Sequence, residues 1–181
     1  MNYHNISYPD MNNGDGLRVV LWLSGCSHHC NQCQNQQTWE PDSGIKFDDA
    51  AKEELFEELK KDYISGITFS GGDPLHEENI VEVYNLIKEI RLSLPEKTIW
   101  VYTGYRIEDI WIKKGQVVTA ELNIERHYRN EILKYIDVLV DGQYIDELRD
   151  ITLHWRGSSN QRVIDVKKTL EKNEVVLYEI D

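Results

Sequence analysis

Cysteine, proline and methionine are all sparse in this chain: three, four and two in 181 residues. An odd number of cysteines, all within Cys26–Cys33, excludes a disulfide framework as the organising device. In a reducing compartment such a cluster points instead to metal or redox chemistry. No apolar run approaches the roughly 18 residues that cross a bilayer, so no membrane partner is expected. The opening MNYHNISYPD lacks the basic start and apolar core of a secretion signal. A soluble, cytoplasmic protein is the expectation. Positive charge is in deficit, with 20 Lys and Arg against 32 Asp and Glu and a net charge of -12. That argues against a nucleic-acid partner, because phosphate contacts need clustered cations. Neither a phosphate-cradling G-x-x-x-x-G-K-[ST] nor a G-x-G-x-x-G occurs, so NTP-dependent and Rossmann readings lose support. There is no internal repeat, low-complexity tract or Pro/Gly linker, and residues 1–181 read as a single domain.

What is present suffices for a sizeable core: 40% hydrophobic residues, with five Trp and ten Tyr. Short apolar runs rich in β-branched residues recur at wide spacing. Leu17–Leu23, Ile67–Phe69 with its neighbours, Thr98–Tyr102 and Asp137–Val140 read as buried strands. Helical patterns separate the first three. In Phe47–Lys61, Phe47, Ala51, Leu55 and Leu59 share one face. In Glu77–Leu94, Ile80, Tyr84, Ile87 and Ile90 form a similar stripe, and Pro95 ends it. Between Arg106 and Tyr135 a short helix, a Gly115 turn and a second helix ending near Lys134 are expected. Alternating strands and helices imply an α/β fold with a parallel sheet built from right-handed units. A full eight-unit barrel takes about 250 residues, so the expectation is a partial, open β/α barrel.

The cysteines follow the first of these strands directly, with C-x3-C-x2-C spacing: Cys26, Cys30 and Cys33. Soft thiolates suit iron–sulfur clusters. A closed [4Fe–4S] site takes four cysteines; three leave one iron without a protein ligand. An open position marks catalytic rather than structural metal sites. Two blander readings stand beside this one: a zinc site of three Cys with His28 or His29, and incidental thiols. Zinc motifs usually staple distant segments, which disfavours zinc. The two histidines read better as loop residues shielding a cluster.

A second signal is the strand running into Ser70-Gly71-Gly72-Asp73-Pro74-Leu75. Glycines there permit positive φ and close approach of a ligand to the backbone. A Gly-Gly turn after a strand is in most cases only a turn; its place about one helix after the cysteines gives it weight.

Together the two motifs resemble the signatures of the radical S-adenosylmethionine (SAM) superfamily: three cysteines after the first strand, and a Gly-Gly-Glu motif after the second. Asp73 stands here for the usual Glu. Within that superfamily the chain is similar to the activating proteins of anaerobic (class III) ribonucleoside-triphosphate reductases. The likeness runs through Met1-Asn2-Tyr3-His4, Asn13–Arg18, Ser24-Gly25-Cys26, Thr38-Trp39, Ser70–His76, Ile99–Tyr105, Val138–Gly142 and Trp155–Gln161. It implies a partial barrel of the radical SAM type, one [4Fe–4S] cluster on Cys26, Cys30 and Cys33, and SAM at the open iron. It further implies SAM contacts from Gln32, Cys33, Gln34, Gly71, Gly72 and Asp73. Cluster and SAM would carry the chemistry, with no catalytic side chain: reductive cleavage to a 5′-deoxyadenosyl radical, then a glycyl radical on the large subunit of the reductase. A flavodoxin-type electron donor is implied. Family members often have Pro-Gly before the third cysteine and Tyr after it, where this chain has Asn31-Gln32 and Gln34. The rivals are an activase of another glycyl-radical enzyme, such as pyruvate formate-lyase, and a zinc-stabilised binding module.

Other segments carry two readings each. Asp15, Gly16 and Arg18 are a substrate-peptide contact or a turn and strand cap. Thr103-Gly104 and Asp141-Gly142 are ligand contacts or plain strand-end turns. Trp155–Gln161 closes the open side or docks the reductase. The tail Asp165–Asp181 supplies an edge strand or an oligomer contact.

Overall fold

A computed structural model describes residues 1–116 and 123–179. Four strands run parallel: β2 (Arg18–Leu23), β4 (Gly66–Gly71), β5 (Thr98–Tyr102) and β6 (Val138–Asp141). These are the four strands anticipated from apolar runs. They occupy the middle of a seven-stranded sheet, which is not closed, in the order β3-β1-β2-β4-β5-β6-β7. The flanks differ from an all-parallel expectation. β1 (Asn2–Asp10), β3 (Ile45–Lys46) and β7 (Arg162–Asp165) are all antiparallel to their neighbours. β1 is polar and interrupted by two register shifts, and buries only Tyr3 and Ile6 among its apolar side chains. Such a strand is made by pairing to β2, not by its own pattern. After β7 the chain forms α5 (Val166–Lys172) and returns, with Leu177 bridging to Ile164. The tail thus covers the β7 edge with a helix and one isolated bridge, not with a full added strand; residues 180–181 lie outside the described residues.

The helices follow their capping chemistry. α1 (Asp49–Leu59) starts where the Asp48 carboxylate accepts from the Ala51 N–H at 3.0 Å, and it buries Ala51, Leu55 and Leu59. Phe47 stays outside the helix, edge-on to Tyr3 at 5.6 Å. α2 (Ile80–Ser93) begins three residues later than its stripe suggested, because Asp73–Asn79 is taken up in turns. α3 (Ile107–Ile110), a turn at Lys114-Gly115 and α4 (Ile124–Ile132) match the expected short helix, turn and second helix. The linking residues 117–122 lie outside the described residues.

The helices cover one face of the sheet. Val19, Leu21, Leu23, Ile67, Phe69, Ile99, Val101 and Leu139 point to that face, each fully buried in the main apolar core. The alternate positions look the other way. There Trp100, Val138, Val140 and Val163 form a smaller cluster under Trp155 and Tyr178. Arg18 is buried at the far end, donating to Thr68 Oγ1 (2.7 Å), Ile67 O (2.6 Å), Asp15 O (2.9 Å), Thr98 Oγ1 (2.9 Å) and Thr98 O (3.0 Å). Burial pulls its pKa down to about 10, leaving it a cation at neutral pH. Its guanidinium is spent on fastening three strand starts, the cap reading of Asp15–Arg18.

Candidate functional site at the parallel strand ends

The C-terminal ends of β2, β4, β5 and β6 point the same way, as ligand-bearing ends of parallel sheets do. The cysteine loop follows β2 and is hung on backbone bonds: Gly25 N–H to Thr38 O (2.8 Å) and Cys26 N–H to Trp39 O (2.9 Å). Cys33 N–H closes a turn onto Cys30 O at 3.1 Å, and the loop sets His29 and Gln32 at positive φ. The Gly-Gly-Asp turn after β4 docks directly under this loop. Gly72 N–H donates to Leu23 O (2.7 Å) and Asp73 N–H to Gly25 O (2.7 Å). Gly71 has φ +98, and a Cβ on Gly72 would lie 2.5 Å from Gly25 O. Glycine is required at both by conformation and by contact.

Asp73 binds the strand ends together. Its carboxylate is buried and accepts from the Leu75 N–H (2.8 Å), the Thr103 hydroxyl (2.9 Å) and the Gly104 N–H (3.0 Å). The fourth partner is His28 Nε2 at 2.8 Å, and His28 Nδ1 meets Gln143 Nε2 at 3.0 Å. One acid therefore links the loops after β2, β4, β5 and, through His28, β6. Asn79 completes the joint, donating to Ser24 O (2.6 Å) and Asp73 O (3.1 Å). Facing a carboxylate, His28 carries its proton on Nε2. Read from sequence, His28 was a loop shield and Thr103-Gly104 a ligand contact or a turn; only the fold reveals that both serve Asp73.

Asp141-Gly142 is likewise a fixed corner. Asp141 is buried, caps the Ile107 N–H at 2.9 Å and pairs with Arg162. Gln161 binds the Gly142 carbonyl at 2.9 Å and holds the Gly157 N–H at 2.9 Å. The Trp155–Gln161 segment lies on the helix-free face, with Trp155 edge-on to Trp100 at 5.0 Å. It walls a cavity of about 490 Å³ together with Trp22, Cys33, Gln34, Ser70 and Tyr102. Of the residues expected to meet SAM, Cys33 and Gln34 border this cavity. Gln32 is exposed on the loop, Gly71 and Gly72 lie half-buried beneath it, and the Asp73 side chain is turned into its own network.

None of the three cysteines is in a disulfide, and all are half-buried. Burial pushes the Cys26 thiol up to about 11 and raises that of Cys30. Both are thiols at neutral pH until a metal displaces the proton. Among the described residues no three His, Cys, Asp or Glu side chains converge as a single ion would require. A [4Fe–4S] cluster spreads its ligands over separate irons, so its thiolates need not meet at one point. Three soft donors on one loop, beside an uncovered cavity, fit that group.

A family model described as a 4Fe-4S single cluster domain matches residues 12–164. The anaerobic ribonucleoside-triphosphate reductase-activating protein of Escherichia coli (strain K12) is 40% identical over 165 residues, covering 90% of this chain and 97% of that one. The chain belongs to this family of activating proteins. The counterpart in Enterobacteria phage T4 is 42% identical over 163 residues, covering 90% of this chain and 93% of its own. That of Haemophilus influenzae is 38% identical over 163 residues, with 89% and 96% covered. The strand-end site lies inside the matched 4Fe-4S region.

Proposed function

We propose that this protein activates an anaerobic ribonucleoside-triphosphate reductase by generating a glycyl radical on its large subunit. Cys26, Cys30 and Cys33 would hold one [4Fe–4S] cluster with a vacant iron position for SAM. When bound, that cluster would supply the single electron for reductive cleavage of SAM to methionine and a 5′-deoxyadenosyl radical, which would take a hydrogen atom from the target glycine. The observation carrying this reading is the juxtaposition of the two motifs. The Gly-Gly-Asp turn is bonded to the base of the cysteine loop, with the Asp73 N–H donating to Gly25 O at 2.7 Å.

The chain's own residues orient and enclose. The backbone of Gly71 and Gly72 supports the SAM amino group, with Gln32, Cys33 and Gln34 beside it. Asp73 contributes by holding that turn, because its carboxylate already has four partners. We read residues 1–181 as one domain, a partial barrel of the radical SAM type. Its support is the open sheet, with helices on one side and a cavity on the other. The open side suits a protein substrate, which itself excludes water once docked. A one-electron donor of the flavodoxin class and a cytoplasmic setting without nucleic-acid or membrane partners complete the reading; the acidic charge of -12 supports the lack of a nucleic-acid partner.

The test is anaerobic incubation with dithionite, SAM and the candidate reductase, followed by electron paramagnetic resonance. A glycyl doublet on the reductase is expected. A colourless protein with stoichiometric zinc, or SAM cleavage without any glycyl signal, would sink the proposal.

A further inference from the structure

Among the described residues, two buried donors on the helix-free face have no acceptor. The Tyr102 hydroxyl and the Arg156 Nε are buried without a hydrogen-bonding partner, and both residues wall the 490 Å³ cavity beside Cys33 and Gln34. The rest of Arg156 is anchored, with Nη1 donating to Gln161 O at 2.7 Å. Buried polar groups are nearly always paired. The two unpaired donors belong to residues that wall the same cavity, so an occupant of that cavity is the nearest outside partner for them. Burial raises the Tyr102 phenol far above its usual range, so it keeps its proton and can donate. Arg156 can only donate. The occupant must therefore bring acceptors.

The rim tells which occupant. Ile151 borders the cavity and is 86% exposed, a large apolar side chain at a mouth where a polypeptide would cover it. Trp22 and Trp155 stand among the walls and favour a chain without side-chain bulk. A glycine-containing backbone offers carbonyl acceptors at regular intervals, beside its N–H donors, with little side-chain bulk. We infer that Tyr102 and Arg156 are positioning residues, donating to main-chain carbonyls of the partner segment that carries the reacting glycine. This rests on the proposed activation of a reductase and adds the residues that seat its substrate.

The test compares Tyr102→Phe with the wild-type protein, both cluster-loaded. Equilibrium binding of the reductase, and of a synthetic peptide spanning its glycyl segment, is measured with SAM but without reductant. Loss of one hydrogen bond predicts Kd values and a KM for reductase about 3- to 10-fold higher. The maximal rate of radical formation should change less than KM. Because the hydroxyl has no protein partner, the melting temperature should not fall. Arg156→Lys, which keeps charge but moves the donor, should weaken peptide binding in the same direction. Unchanged peptide and reductase affinity in Tyr102→Phe would overturn the inference. So would a larger loss of SAM affinity than of reductase affinity, which would assign the orphan donors to SAM, or a lowered melting temperature, which would make Tyr102 structural. The binding arm needs no radical, so a failure of the wild-type protein to form one would count against the proposed function alone.

Discussion

The two faces of the sheet are built from the same strands and obey opposite rules. Toward the helices, β2, β4 and β5 send Val19, Leu21, Leu23, Ile67, Phe69, Ile99 and Val101, all without exposure. Toward the other side they send Trp22, Ser70 and Tyr102 to the cavity wall, with Arg18, Thr68 and Trp100 buried nearby. The first face is sealed by packing and carries stability through burial. The second leaves donors unpaired and a cavity unfilled, which is unfavourable for a core and useful for a site. A strand alternates its side chains by geometry alone; what lies opposite each face decides whether an apolar or a polar residue belongs there. The strand-end loops join the two, and Asp73 is the joint.

This contrast can be broken from either side. The largest effect should come from Cys30→Ala, which removes one of three thiolates: iron retention and 5′-deoxyadenosine formation should fall to background with the melting temperature nearly unchanged. Iron assay and chromatography read it; normal 5′-deoxyadenosine output would refute the ligand assignment. Phe69→Ala is the opposite case. It opens the helix-covered core and should cost about 3–5 kcal/mol in denaturant unfolding, while any protein that remains folded should still retain iron. Asp73→Asn tests the joint. Its new NH2 would face either the Leu75 N–H, or the Gly104 N–H together with His28, and a loss of about 1–3 kcal/mol is expected. Cluster retention should be partial in that variant; full retention with unchanged stability would show that the four-loop tie is dispensable.

The smallest effect lies in the response to acid. Burial alone would raise the Asp137 pKa, but the Ile99 N–H, Arg91 and Lys167 outweigh it and hold the carboxyl low. A hydrogen bond from Arg162 brings Glu108 down to about 2. Both groups bind protons more weakly folded than unfolded, so their stabilisation is present above about pH 4 and is lost as pH falls through their folded values. Asp137→Asn should lower stability at pH 7 by about 1–2 kcal/mol and flatten the decline between pH 5 and 2. A slope identical to that of the wild-type protein would remove Asp137 from the account.

Much of the fold was legible because its central strands and long helices are local patterns. The runs at Arg18–Leu23, Gly66–Gly71, Thr98–Tyr102 and Val138–Asp141, and the stripes of α1 and α2, carry their periodicity in the chain. The flanking strands were not legible as such. β1 holds one Ile and a proline among polar residues, β3 is only Ile45–Lys46, and β7 is four residues long; each exists because a neighbour offers an unpaired edge. At the site, the cysteine triplet and the Gly-Gly turn announced themselves by spacing. His28 and Thr103 did not, because their shared partner is Asp73, and Gln143 did not, because it reaches that acid only through His28.

From the chain alone came the donor set, the order of the two motifs and the family likeness, since thiol chemistry and local spacing require no neighbours. The tertiary structure alone decided that one carboxylate ties four loops, that Arg18 fastens strands, and that Tyr102 and Arg156 wall one cavity with buried donors unpaired among the described residues. Those are contacts between residues far apart in sequence, and they follow from which strands lie side by side and which face the helices leave bare.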